Sequence, residues 1–127
     1  MELNKKHLVE GSESDHQKAL MVWAAYMKVQ CPELDLLYSI PNGACVAPKN
    51  RKRLVAEGLK RGMPDLHLPV ARGPYHSLFL ELKTKTGRLS PHQQERMELL
   101  EAAGNLCKTS RSFQESITIL KEYLGIL

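Results

Sequence analysis

Apolar positions along the chain switch between helical and extended spacing, and the switches mark its elements. Ala19, Leu20, Trp23, Ala24 and Met27 recur at helical intervals after Ser12, Glu13 and Asp15, which form a helix start; Pro32 closes this first helix. Leu36-Leu37-Tyr38-Ser39-Ile40 is a short apolar run ended by Pro41-Asn42-Gly43, a strand entering a turn. From Asn50 to Lys60 the pattern predicts a helix with Leu54, Val55 and Leu59 on one side and cations on the other, stopped by Gly62 and Pro64. Leu66, Leu68 and Val70 then alternate with His67 and Pro69, and a turn through Arg72-Gly73-Pro74 leads into Ser77-Leu78-Phe79-Leu80-Glu81-Leu82-Lys83. These are two antiparallel strands. In the second, alternation puts Leu78, Leu80 and Leu82 on one face and Phe79, Glu81 and Lys83 on the other.

Ser90-Pro91-His92-Gln93 joins an N-cap serine, a proline at the first helical position and a glutamine at the third, so a helix begins there and runs to Gly104. Residues 105–109 form a last strand. Ser112-Phe113-Gln114-Glu115 repeats the capping pattern, and Phe113, Ile117, Leu120 and Leu124 give the final helix one apolar face. The predicted order is helix, strand, helix, two strands, helix, strand, helix. It implies an α/β fold: a central mixed four-stranded sheet flanked by helices.

Composition narrows the function classes. At 127 residues, with 43% hydrophobic and 25% charged positions, the chain is expected to be a single domain over 1–127, with 1–11 a flexible N-terminus. No segment approaches the roughly 20 apolar residues of a membrane span, so the expected location is cytoplasmic. Cys31, Cys45 and Cys107 are odd in number and far apart, which predicts buried free thiols rather than a zinc or redox site. The net charge of +4 favours a polyanionic partner. Six cations, Lys49, Arg51, Lys52, Arg53, Lys60 and Arg61, face one acid, Glu57, between positions 49 and 61. Lys49, Arg51, Lys52 and Arg53 are therefore candidate phosphate contacts, although cations on a surface helix are commonly only solvated. Glycine-rich phosphate loops, GxSxG elbows and HExxH sequences are absent, which leaves nucleotide-cofactor, esterase and zinc-protease readings unsupported.

Phosphodiester hydrolysis needs an activated water and stabilisation of charge on the phosphate and leaving oxygen. Hard divalent cations held by one or two carboxylates supply much of this. Asp65 at a strand start and Glu81 in the adjacent strand can converge on one such ion. Lys83, on the same face as Glu81, can reach the attacking water or the scissile phosphate. An acid-x-lysine tripeptide is short enough to arise by chance. Glu81-Leu82-Lys83 is, however, the only one in the chain and Pro64-Asp65 the only Pro-Asp, and they fall on consecutive predicted strands. His67 and His76, on neighbouring strands and able to face one another, lack an acid partner and are expected to be structural.

Further motifs lie in order around this core. Gly62-Met63-Pro64-Asp65-Leu66-His67-Leu68, Leu80-Glu81-Leu82-Lys83, Gly87-Arg88-Leu89-Ser90-Pro91-His92-Gln93 and Ala103-Gly104, with Ser12-Glu13, Gln17 and Ile40-Pro41-Asn42-Gly43, resemble the VRR-NUC nuclease domain of the PD-(D/E)xK superfamily. The resemblance is to the stand-alone phage and bacterial type and implies a restriction-endonuclease-like core. It further implies Asp65 and Glu81 as ligands of Mg²⁺ or Mn²⁺, the Leu82 carbonyl as a further ligand, and Lys83 as the catalytic lysine. Glu13 matches the helix-borne acid, although an acid in a first turn is also favoured by the helix dipole. Gln17, one turn later, supports the site or the substrate. Gln93 matches the family's glutamine, yet a capping box would compete for the same amide. Asn42 approaches the cleft in the family. Where many members carry a basic residue before Ile-Pro-Asn, this chain has Ser39, which removes a phosphate contact there; the basic segment compensates.

The implied activity is metal-dependent, structure-selective endonucleolytic cleavage of DNA leaving 3′-hydroxyl and 5′-phosphate ends. Short members resemble Holliday-junction resolvases of recombination and repair. A four-way junction needs two symmetric cuts and one chain offers one site, so a homodimer is the economical assembly. Neither a membrane nor a nucleotide cofactor is expected. Two alternatives stand beside this: a nicking or flap endonuclease acting as a monomer, and a non-catalytic DNA-binding accessory protein.

Overall fold

A computed structural model describes residues 12–41 and 47–127. The expected N-terminal segment 1–11, the turn at Asn42 and Gly43, and Cys45 lie outside the described residues.

Helix α1 (Glu13–Met27) starts as its sequence predicts: the Ser12 hydroxyl accepts from the Asp15 N–H at 3.1 Å, satisfying one of the unpaired donors of the first turn. It ends before Pro32, which opens a short 3₁₀ helix over Pro32–Leu36 instead of merely stopping α1. Proline's fixed φ and missing N–H suit a first helical position. Leu36 is thereby withdrawn from the expected strand, and β1 is only Tyr38–Ser39. Helix α2 (Pro48–Ala56) is shorter than predicted. Gly58, at φ 115°, reverses the chain so that the Leu59 N–H donates to Leu54 O, and the helix ends before Gly62 and Pro64 can act. None of its residues is buried, and Val55 is exposed.

Strands β2 (Leu66–Leu68) and β3 (Leu78–Leu82) pair antiparallel, with His67 opposite Phe79. Helix α3 (Pro91–Ala102) then crosses over to β4 (Leu106–Ser110), parallel to β3, and α4 (Phe113–Leu124) follows. The sheet order is β1-β2-β3-β4, a mixed four-stranded sheet with helices on both faces, as the pattern predicts.

Alternation along the strands sorts the core. Leu66, Leu68, Leu78, Leu80 and Leu82 pack with Leu20 and Ala24 of α1 and Leu120 and Leu124 of α4. On the opposite face Phe79 and Cys107 meet Met97 of α3, with Ile40, Met63, Leu89 and Leu100 around them. Cys31 and Cys107 are buried free thiols, as expected. All five residues of β3 are buried. Its α3-side face is therefore apolar at Phe79 and carries a buried acid two residues later.

The two histidines do not face one another. His67 stacks on Phe79 at 4.1 Å between centroids and is hydrogen-bonded to the Tyr38 hydroxyl and to Ser77 Oγ, at 2.8 and 2.9 Å. His76 lies before β3 and packs its ring on Gly104, where an added Cβ would meet it at 2.4 Å. Both rings are held by contacts outside the Asp65–Glu81 pair. Among the described residues no helix is long and apolar enough to cross a membrane.

Candidate active site

Asp65 immediately precedes β2, and its carboxylate accepts the Leu82 N–H at 2.7 Å, a bond that ties the start of β2 to the end of β3. The next N–H, that of Lys83, points the other way and donates to Ser110 O on β4 at 2.9 Å. Across a planar trans peptide the carbonyl lies antiparallel to the following N–H, so the Leu82 C=O is turned to the Asp65 side. Two acids and one carbonyl are thus gathered at the end of the β2–β3 pair.

Glu81 is 1% exposed, and its Oε2 has no hydrogen-bond donor. Burial, first, and then a hydrogen bond to Asp65 that only the protonated form can donate push its carboxyl up to about 9; Lys83 opposes this and the Glu13 charge adds to it. An orphaned buried oxygen beside a second carboxylate requires either a proton or a cation. A hard oxygen-seeking ion fits this donor set. Among the described residues no three His, Cys, Asp or Glu side chains form a metal-ligand cluster. Glu13 lies near enough to act on Glu81 electrostatically. Gln17 is half-buried on the same helix face.

The competition for the Gln93 amide resolves itself, because its two ends serve different partners. Oε1 accepts the Ser90 N–H at 2.9 Å in the capping box, while Nε2 donates to Glu81 Oε1 at 3.4 Å. Gly62 secures this arrangement. At φ 79° it presses on the first turn of α3, where a Cβ would lie 2.6 Å from His92 O and 3.2 Å from Gln93 N. The sequence pattern gives Gly62 the end of a helix and the head of the motif around Asp65, and neither shows this contact.

The predicted cations lie on an exposed helix. Lys49, Lys52 and Arg53 are exposed on α2, Arg53 within 3.9 Å of Glu57, and Arg51 is also exposed. A second basic segment escaped the sequence reading although it is plainly visible there: positions 82–94 hold Lys83, Lys85 and Arg88 and no acid. The loop after Lys83 is clamped by Arg111, whose guanidinium donates to Thr84 O at 3.0 Å and to Gly87 O. Asn42 lies outside the described residues.

A mixed sheet between helices, with two carboxylates and a lysine at the end of its central strands, defines the restriction-endonuclease-like class of α/β nucleases. The family model described as the VRR-NUC domain matches residues 11–112, and the chain belongs to the VRR-NUC family. A solved structure described as a VRR_NUC domain protein is similar over 90% of this chain and 88% of its own, with 28% identity and a TM-score of 0.74. Among curated proteins no match is found. Membership makes the protein a nuclease domain acting on DNA, in a superfamily that generally uses divalent metal ions.

Proposed function

We propose that this protein is a Mg²⁺- or Mn²⁺-dependent endodeoxyribonuclease that cuts branched DNA, with the four-way junction as substrate and a homodimer as the working assembly. The observation that carries the reading is Glu81, a buried carboxyl whose Oε2 has no donor, set against Asp65 and two residues from Lys83. Asp65, Glu81 and the Leu82 carbonyl would hold the ion; when bound, it supplies Lewis-acid polarisation of the scissile phosphate. The chain's own groups do the rest. The Lys83 ammonium orients the attacking water or accepts its proton in the amine form, and its charge favours the phosphate in either task. Gln93 holds Glu81 Oε1 from the α3 side. Glu13 and Gln17 approach from α1, and the cations of α2, with Lys85 and Arg88, take backbone phosphates on the two sides of the cut. Asn42, which lies outside the described residues, contacts substrate as the family resemblance implies. Cleavage leaves a 3′-hydroxyl and a 5′-phosphate.

Two cuts related by a two-fold axis need two copies of a one-site chain. Support for self-association comes from Val22 and Tyr26 on α1 and Val29 just beyond it, which are 70%, 76% and 85% exposed at i, i+4 and i+7, an uncovered apolar stripe. The reading is tested by Lys83→Ala: Mg²⁺-dependent cleavage of a four-way junction is lost while junction binding in Ca²⁺ and the melting temperature are kept. Full activity in that variant refutes the site. Preference for linear duplex over four-way, flap and single-stranded DNA in direct competition refutes the substrate.

A further inference from the structure

His16 enters neither the motifs nor the proposed chemistry, yet it joins α1 to two other elements. Its Nε2 lies 2.8 Å from Ser116 Oγ on α4; Ser116 Oγ donates to Ser110 Oγ at 2.6 Å, and Ser110 Oγ donates to Ser112 O at 2.9 Å. Both hydroxyl protons are committed by these bonds. Ser116 Oγ can therefore only accept from His16, which fixes the neutral imidazole as the Nε2–H tautomer. Ser110 and Ser116 are fully buried. Burial lowers the His16 pKa, with Asp65 and then Glu115 opposing, so the ring is neutral at pH 7 and lies near the acid cradle.

Position gives this chain of contacts its meaning. Glu13, His16 and Gln17 fall at i, i+3 and i+4, on one face of the first turns of α1. The first buried residue of that helix is Leu20, so residues 13–19 are not seated by core packing. At the far end, Ser110 is the residue whose carbonyl accepts the Lys83 N–H. The three side chains thus link the helix end bearing Glu13 to the strand end that holds Lys83. A buried polar chain adds little net stability over well-packed aliphatic groups, but it specifies one arrangement.

We infer that His16 is a positioning residue, which seats the first turns of α1 through Ser116 and Ser110 so that Glu13 meets the Asp65–Glu81 cradle. The inference rests on the reading of Glu13 as part of the site. Supporting groups of this kind typically cost about 10- to 100-fold in activity when removed. His16→Leu should lower the single-turnover rate on a Mg²⁺-loaded junction to that extent while leaving junction affinity in Ca²⁺ unchanged. His16→Gln, whose amide nitrogen can still donate to Ser116, should recover most of the rate. In a Glu13→Gln background, His16→Leu should cost nothing more. Equal losses in the two His16 variants, additive losses with Glu13→Gln, or a wild-type rate in His16→Leu overturn the inference. Full activity of Glu13→Gln alone overturns instead the reading of Glu13 on which it rests. Should His16→Leu fail to fold, Ser116→Ala breaks the same contact from the other side and is expected to show the same loss and the same non-additivity; a wild-type rate there overturns the inference.

Discussion

Replacing Glu81 by glutamine removes the ionisable group and keeps its shape, so it measures what the buried acid costs. The carboxyl stands near 9 in the folded protein against 4.5 as its ordinary value, mainly through burial and then through Asp65. Between those two values the folded chain keeps a proton that the unfolded chain releases. The Glu81 contribution to stability is therefore fully present below pH 4.5 and is lost as pH rises through 9. At pH 7 the difference amounts to about 3 kcal/mol, taking ~1.4 kcal/mol per pH unit from 4.5 upward. Part of it belongs to the pair with Asp65, so Glu81→Gln should stabilise the metal-free protein by about 1–3 kcal/mol, worth roughly 3–9 °C in a domain of this size. The assay is a thermal melt in EDTA from pH 5 to pH 9. Both proteins should melt nearly together at pH 5, with the gap widening in favour of the variant up to about pH 9. Excess Mn²⁺ should then raise the wild-type melting temperature and leave the variant's nearly unchanged. Parallel melting curves across this range, or a variant less stable than wild type at pH 8, would refute the account of Glu81.

Three further outcomes follow from other contacts. Gly62→Ala forces a Cβ against the His92 carbonyl at positive φ; the loss should be about 2–4 kcal/mol in denaturant unfolding, with cleavage reduced even in the folded fraction because Gln93 is displaced. Lys85→Ala with Arg88→Ala should weaken junction binding in Ca²⁺ and flatten the slope of log affinity against log salt by about 1–2, whereas an unchanged slope would remove that loop from the DNA interface. Tyr26→Glu places a charge in the exposed apolar stripe of α1 and should shift the protein to monomers in sedimentation equilibrium with its fold intact by circular dichroism; a wild-type association state would exclude this face from the dimer.

Most of the fold was legible because it follows from local periodicity. The alternation of β3 places Glu81 on the face opposite Leu80 and Leu82, and serines 12, 90 and 112 all cap helices by accepting the N–H three residues on. Errors arose where one residue type allows two outcomes. Pro32 ends one helical pattern and opens another, and Gly58 intercepts α2 before Gly62. At the candidate site, the proximity of Asp65, Glu81 and Lys83 could be read from strand order and spacing. The double use of Gln93 depends on where each end of one amide points, which spacing cannot specify. His16 was invisible for a stronger reason: its hydrogen-bond partner lies 100 residues away, and a histidine beside a helix start carries no local sign of a buried serine to receive it.

Glu81 also sets the terms on which fold and chemistry coexist. A buried acid standing near 9 is a poor ligand at neutral pH until its proton leaves, so ion binding there must release a proton and strengthen with rising pH. The cost is carried by neighbours that serve the fold in their own right. The Leu82 N–H holds Asp65, and the amide of Gln93 joins the cap of α3 to Glu81. Neither contact supplies a charge. Lys83 does, and it is the residue whose charge pulls the Glu81 carboxyl downward, so a neutral replacement should make Glu81 harder to ionise as well as removing the ammonium from the phosphate. Loss of activity in Lys83→Ala therefore has two sources that pH separates. Weakened ion binding should recover as pH rises toward 9 and beyond, while loss of the lysine's own role in hydrolysis should persist at every pH, and a variant restored to full rate at high pH would reduce Lys83 to an electrostatic partner of Glu81.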